Sequence, residues 1–310
     1  MLNKFLTMLL LATSGAASAA TPQPYTLDQT EVRAIHAQAL QRDYELFVSL
    51  PAGYATSARS YPVLFVTDAN YAFPLIRSIA RRAGNGGKDI DDFILVGLSY
   101  AKGDTPEYSR RRDYTPSGFG QAMTSDMPGR EARFGEAEGY RRFIAAEVFP
   151  FIAKTYRADM RRKIYAGHSY GSLLGLHMLL TEPSMFQHYI LGSPSLWFNN
   201  HVMFARERDY AASHKDLPAK VYLAIGSDET IKPASTDPRH ANEHDMLRDL
   251  RKFTRTLESR RYPGLQVQSK VIADEDHLTV APAILTRGLM WALKPAPAPL
   301  KTGRPPAPAH

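Results

Sequence analysis

Three residues far apart in a chain of 310 have the types that acyl transfer needs. Ser169 is the centre of Gly167-His168-Ser169-Tyr170-Gly171, a G-x-S-x-G pentapeptide. It lies between Lys163–Ala166, which reads as a short strand, and Tyr170–Leu180, which reads as an apolar helix. A nucleophile elbow requires that strand–turn–helix setting, because small residues two before and two after the serine let strand and helix approach closely. A serine hydroxyl is inert at neutral pH without a base. His277, in Ala273-Asp274-Glu275-Asp276-His277, follows the last predicted strand and precedes the last predicted helix. An acid should follow the preceding strand, Val221–Ile225, and Gly226-Ser227-Asp228-Glu229 stands there. Adjacent carboxylates point in different directions, so only one is expected to orient the imidazole. Glu229 is preferred and Asp228 is the alternative, with Asp274 and Asp276 ranking below both. The backbone N–H groups of Tyr170 and of Asn70, in the loop after the first buried strand, are the candidate oxyanion donors.

The elements that must position these residues follow from composition and period. Val32–Leu40 and Tyr44–Leu50 read as an antiparallel pair closed by Pro51-Ala52-Gly53. Pro62–Thr67 and Phe93–Leu98 are short continuous apolar runs, the pattern of strands buried on both faces. Ala72–Ala83 reads as a helix. Glu138–Tyr156 has near-3.6 periodicity with a kink expected at Pro150. Tyr189–Leu191 and Val267–Ile272 read as further strands; Val202–Ser213, Asn242–Arg261 and Ala281–Leu293 read as helices. Ser99–Ala137 has six basic and six acidic residues and no apolar period, so it reads as a long loop. Strand and helix thus alternate after the first hairpin. The fold class is α/β: a mostly parallel sheet with helices on both faces and an antiparallel N-terminal hairpin, in one domain over residues 20–293.

The ends are different in kind. Residues 1–19 carry one early positive charge, an apolar run at Phe5–Ala12 and the small-x-small site Ala17-Ser18-Ala19, the layout of a secretory signal peptide. No later stretch has the ~20 apolar residues of a membrane span. Residues 294–310 hold six prolines and read as a flexible tail. A periplasmic or secreted protein is therefore expected.

Composition removes other chemistries. The chain has no cysteine, which excludes a thiolate nucleophile, a disulfide and a cysteine-ligated metal. Lys and Arg number 38 against 31 Asp and Glu, a formal charge of +7, but the excess is spread along the chain with no basic–aromatic module for nucleic acid. No phosphate-binding loop or dinucleotide glycine fingerprint is present, and no cofactor is expected. His240-Ala241-Asn242-Glu243-His244 matches a zinc pattern, H-x-x-E-H, but has no clear third ligand and competes with a complete serine–histidine set, so no metal is assigned.

With these residues in view, the sequence resembles the putative-esterase branch of the α/β-hydrolases, and within it the periplasmic siderophore esterases that open catecholate trilactones. The resemblance runs over about Val32–Leu293. It is carried by Tyr61–Asn70, Arg110-Arg111-Arg112-Asp113-Tyr114-Thr115-Pro116, the elbow, Ser193-Pro194-Ser195-Leu196-Trp197, and His277 in its acidic loop. It implies an α/β-hydrolase fold, with the nucleophile and base at Ser169 and His277; some members manage with a serine–histidine dyad. Two positions depart from the pattern, Ser172 for a common glycine and Asp228 for a common apolar residue. A small-molecule ester is the expected partner, a ferric catecholate siderophore among the candidates. Arg110, Arg111 and Arg112 are candidate contacts for such an anion, since Arg attracts delocalised anions and stacks on aromatic rings. Trp197 is a candidate aromatic wall. The resemblance also admits a general carboxylesterase, and the fold admits a binding protein without turnover or an acyltransferase.

Overall fold

Six residues without a charge, Tyr61–Val66, form strand β3, and all six are buried. In the computed structural model of the chain, which describes residues 24–118, 125–240 and 243–295, this strand feeds two cores. Tyr61, Val63 and Phe65 enter one, and Leu64 and Val66 the other. Strand β7 (Lys220–Gly226) divides in the same way, Val221, Leu223 and Ile225 against Tyr222 and Ala224. Successive side chains of a strand point to opposite faces, so a strand covered on both faces reads as a continuous apolar run.

Among the described residues, eight strands form one sheet in the order β1-β2-β4-β3-β5-β6-β7-β8. Strands β1 (Thr30–Ala37) and β2 (Arg42–Ser49) form the expected antiparallel hairpin, and β2 runs antiparallel to β4 (Ile94–Leu98). From β4 onward the neighbours are parallel, through β3, β5 (Ala158–His168), β6 (His188–Gly192) and β7 to β8 (Gln266–Ile272). Helix α1 (Ala69–Ala83) and, late in the chain, α8 (Ala281–Ala292) cover one face. The other face is covered by α3 (Ala137–Phe143), α4 (Phe149–Thr155), α5 (Tyr170–Thr181), α6 (Phe198–Ser213) and α7 (Met246–Ser259). The chain leaves β3 for β4 on one side and returns to β5 on the other. The strand order therefore reverses between β3 and β5, and in open α/β sheets ligands bind at the carboxyl edge of such a point.

Two elements differ from the sequence expectation. The segment expected to be a long loop contains helix α2 (Pro106–Tyr114). Thr105 caps it by accepting the Tyr108 N–H at 3.2 Å, and Pro106 sits in its first turn, where a missing N–H costs nothing. Its inner face shows no apolar period because it buries ion pairs. Arg112, 3% exposed, donates to Asp113 at 2.8 and 2.9 Å and to Asp104 at 2.6 Å; Asp113 also accepts the Tyr44 hydroxyl at 2.8 Å. The second difference concerns Pro150. The distortion lies upstream of it, in a π turn at Ile144–Val148 that joins α3 to α4, with the Phe149 N–H donating to the Ile144 carbonyl. A widened turn accommodates a residue that cannot donate to the carbonyl four positions back.

The expected signal peptide, residues 1–19, lies outside the described residues, as does the tail from residue 296 onward. Among the described residues no helix is long and apolar enough to cross a membrane.

Buried imidazoles favour a pH-dependent stability, and two of them, His177 and His188, lie apart from His277. His177 on α5 lies between Glu138 (3.2 Å) and Arg206, which donates to its Nδ1; burial and then the Arg206 charge push its pKa down to about 4. Burial, with Lys220 and Arg162 nearby, likewise pushes His188 down to about 4. An unfolded imidazole titrates near 6.5, so below that pH the unfolded chain binds more protons than the folded one. The stability these groups contribute is complete above pH 6.5 and is lost as pH falls towards 4. Thermal unfolding followed by circular dichroism should show Tm falling across that window, with a shallower fall for the double variant His177→Gln, His188→Gln. A Tm independent of pH there, or an unchanged slope in the variant, contradicts this reading.

Candidate active site

Ser169 is the single residue between β5 and α5. Its backbone has φ 58° and ψ −119°, a left-handed region that residues with a Cβ rarely adopt. The surrounding glycines make the turn possible. A Cβ on Gly167 would lie 2.5 Å from the Gly171 carbonyl carbon, and one on Gly171 would lie 2.3 Å from Thr67 Oγ1. The Ser169 N–H donates to the Gly192 carbonyl at 2.9 Å. Ser172, which replaces the common glycine, has its hydroxyl 2.7 Å from the carbonyl oxygens of both Gly167 and Gly192, fastening the elbow to β5 and β6.

From this turn a hydrogen-bonded line runs along the carboxyl edge of the sheet. Ser169 Oγ is 3.0 Å from His277 Nε2, and His277 Nδ1 is 2.7 Å from Glu229 Oε2. Glu229 is 1% exposed, and its second oxygen accepts from the Ser193 hydroxyl at 2.6 Å and the Gly226 N–H at 2.9 Å. The neighbouring carboxylate turns away. Asp228 lies 3.6 Å from Lys232, 3.7 Å from His240 and 4.0 Å from Arg239. Asp276 is occupied by the backbone N–H groups of Leu278 and Thr279, at 2.8 and 2.9 Å. Of the candidate acids, then, the geometry brings Glu229 to the imidazole. The acid and histidine loops are also joined directly. Asp228 N–H donates to the Glu275 carbonyl at 3.0 Å, and Asp274 N–H to the Ser227 hydroxyl at 2.9 Å. The ring of His168 packs on His277 with centroids 4.7 Å apart. Burial, then the charges of His277 and Arg110, holds its pKa well below the ordinary imidazole value, so it packs there uncharged.

The two candidate oxyanion donors stand at helix starts, where N–H groups have no intrahelical acceptor. Tyr170 opens α5. Asn70 is the second residue of α1, after Asp68 in a left-handed conformation (φ 53°, ψ 46°). The N–H groups of Tyr71 and Ala72 both turn back to the Asp68 carbonyl, at 3.0 and 2.9 Å. The Asn70 side chain accepts from the Ser99 hydroxyl at 3.3 Å. The loop from β3 to α1 abuts the elbow, as the packing of Gly171 against Thr67 and Asp68 shows.

Beside the elbow lies a cleft of about 430 Å³, with Ala72, Ala281 and Leu285 on its apolar side and Asp68, Tyr100 and Arg110 on its polar side. The three arginines of the run point in different directions. Arg110 lines the cleft; it donates to both oxygens of Asp68 at 3.1 and 3.2 Å, and its guanidinium stands 5.4 Å from the Tyr170 ring centroid. Arg111 pairs with Asp126 at 2.6 Å. Arg112 is buried in its ion pairs and is not available to a ligand, a correction with a simple cause: successive helix residues are turned ~100° apart, so three in a row cannot share a face. Trp197 stands half-buried beside Tyr170 (6.1 Å between centroids) and stacks on His244 at 4.2 Å with 12° between the planes. His240 instead meets the Ser235 hydroxyl at 2.5 Å and Lys232 at 2.7 Å, so the two histidines of H-x-x-E-H diverge. Among the described residues no three His, Asp or Glu side chains converge to hold a metal ion.

The structure adds residues to which sequence reasoning assigned no role: Asp68 and Tyr100 around Arg110, His168 behind His277, Ser193 on Glu229, and Ser195, whose Oγ is 3.3 Å from Ser169 Oγ. The available signal for the two serines was positional, since they follow β6 at the edge where the other site residues emerge.

Comparison with known proteins agrees with this architecture. The family model described as Putative esterase matches residues 37–266. Ferri-bacillibactin esterase BesA of Bacillus subtilis (strain 168) is 29% identical over 288 residues, covering 91% of this chain and 96% of that protein. The siderophore enterobactin esterase of Emericella nidulans is 28% identical over 273 residues, covering 80% of this chain and 88% of that protein. The crystal structure of a BES protein from Bacillus cereus superposes with a TM-score of 0.73 at 24% identity, over 89% of this chain and 98% of that one, a likeness of fold.

Contact between the acid and histidine loops depends on Gly226, where a Cβ would lie 2.1 Å from the Glu275 carbonyl oxygen. Gly226→Ala should cost about 1–3 kcal/mol, as overpacking does. Differential scanning calorimetry should therefore show Tm lowered by roughly 2–10 °C. A Tm equal to that of the parent protein would show that the two loops are not in register here.

Proposed function

The chain belongs to the Putative esterase family, and from that premise we propose that it is an exported serine esterase that hydrolyses the ester bonds of a siderophore trilactone through an acyl-enzyme. The observation that carries the mechanism is the line Ser169–His277–Glu229, with separations of 3.0 and 2.7 Å. Ser169 Oγ attacks the ester carbonyl carbon while its proton passes to His277 Nε2. Glu229 holds the Nδ1 proton, fixes the tautomer and stabilises the imidazolium. The N–H groups of Tyr170 and Asn70 face the oxyanion of the tetrahedral intermediate. His277 then returns its proton to the departing alkoxide, which leaves as the alcohol. A water molecule, deprotonated by the same nitrogen, attacks the acyl-enzyme and releases the acid.

Two features support the substrate class. Relatives over most of the chain are named as esterases of siderophores, ferri-bacillibactin and enterobactin among them. Arg110, on the cleft wall, stands over the Tyr170 ring, and Trp197 lies beside Tyr170, a group on which an electron-rich aromatic acyl unit can stack. Export is supported by the three-part layout of residues 1–19.

Ser169→Ala and His277→Ala should each lower turnover of a catecholate trilactone, followed as linear products by mass spectrometry, by at least about 10³-fold. Glu229→Gln should lower kcat by about 10²–10⁴-fold, whereas Asp228→Asn should stay within about threefold of the parent protein. Undiminished hydrolysis by Ser169→Ala contradicts the mechanism. Trilactone turnover no faster than that of p-nitrophenyl butyrate would make the protein a general carboxylesterase instead.

A further inference from the structure

The Ser169–Ser195 contact has a direction. His277 Nδ1 faces the Glu229 carboxylate at 2.7 Å, and a carboxylate only accepts, so Nδ1 carries the proton of a neutral ring. His277 Nε2 is then the acceptor, and Ser169 donates to it at 3.0 Å. A hydroxyl has one proton to give. In the 3.3 Å contact Ser169 therefore accepts, and Ser195 donates.

The segment that carries Ser195 holds it in place. Residue 195 is 1% exposed. The preceding Ser193 has φ 42°, its N–H donates to the Ala224 carbonyl at 2.8 Å, and its hydroxyl is the one that orients Glu229. On the other side the Phe198 N–H donates to the Ser195 carbonyl at 3.1 Å. The end of β6 and the turn after it thus hold the elbow through Gly192, the acid through Ser193, and the nucleophile oxygen through Ser195.

We propose that Ser195 is a second catalytic hydroxyl, donating to Ser169 Oγ and stabilising the negative charge that develops there as the Ser169 proton moves to His277. It forms no covalent bond and keeps its own proton throughout. In the acyl-enzyme Ser169 Oγ is an ester oxygen and a weak acceptor. As that oxygen departs from the acyl carbon during deacylation its charge returns, and the Ser195 hydroxyl meets it again before His277 reprotonates it. The hydroxyl therefore acts at both steps on the same atom. This inference rests on the serine mechanism proposed above.

Hydrogen bonds to a charged partner are stronger than neutral ones, and loss of one preorganised donor at a reacting oxygen slows catalysis sharply. Ser195→Ala should slow both the second-order reaction with a fluorophosphonate and kcat for p-nitrophenyl butyrate by about 10- to 100-fold, with KM changed by less than about threefold. Ser195→Thr, which keeps the hydroxyl, should recover most of the rate. Circular dichroism melts should agree with the parent protein for both variants, which separates a catalytic loss from an unfolded site. If Ser195→Ala reacts at the parent rate while Ser169→Ala is inactive, the inference is overturned and the esterase reading stands. Equal losses in the Ala and Thr variants, both folded, overturn it as well. Retained activity in Ser169→Ala removes the esterase reading and this inference with it.

Discussion

A carboxylate buried away from water must have hydrogen-bond donors for both of its oxygens, and Glu229 meets that requirement only when three loops come together. Its donors are Gly226 from its own loop, Ser193 from the turn after β6, and His277 from the loop after β8. Leaving out His277 would strand one oxygen, and leaving out both Ser193 and Gly226 the other, in a group that is 1% exposed. Burial of this one group therefore sets where His277 stands, and His277 in turn lies within hydrogen-bond reach of Ser169. Gly226 is part of the same constraint, because the Glu275 carbonyl occupies the space that a side chain would need.

The sheet supplies the rigidity against which this arrangement is held. Ser169 is kept in an unfavourable backbone conformation, and such a turn persists only when its surroundings over-determine it. Here they do: the Ser169 N–H is tied to β6, the Ser172 hydroxyl bridges β5 and β6, and Gly171 packs on the loop after β3. The site thus straddles the reversal of strand order between β3 and β5. Helix α2 closes the remaining side, with Arg110 held on Asp68 next to the Tyr170 ring. Its neighbour Arg112 is turned inward to hold the helix down, which is why one short basic run contributes both to the cleft and to the core.

Most of the fold and the line of site residues could be read from the amino-acid sequence, for physical reasons that can be named. Strands buried on both faces advertise themselves as apolar runs, and Gly-x-Ser-x-Gly between a strand and a helix has few other uses. The chain order of Ser169, Glu229 and His277 followed from the strands they terminate. What could not be read depends on pairing across space. Glu229 is preferred over Asp228 from the sequence, but the reason for its place, donation from Ser193 and Gly226 to its second oxygen, depends on a turn that follows a different strand. Helix α2 escaped notice because its buried residues include Arg112, Asp113 and Ser109 beside two tyrosines, which leaves no apolar period, although Thr105-Pro106 already carried a start signal. Ser195 is one more serine until the turn after β6 brings its hydroxyl to Ser169.

The claim on which the account depends is that one hydroxyl, at residue 169, is the activated nucleophile of this chain. It is tested most directly by reacting the folded protein with a fluorophosphonate and mapping the modified peptide by tandem mass spectrometry. The account predicts one adduct, on Ser169, formed in step with the loss of ester hydrolysis and suppressed by prior occupancy with a trilactone. An adduct on another residue, or full loss of hydrolysis with Ser169 unmodified, would contradict it.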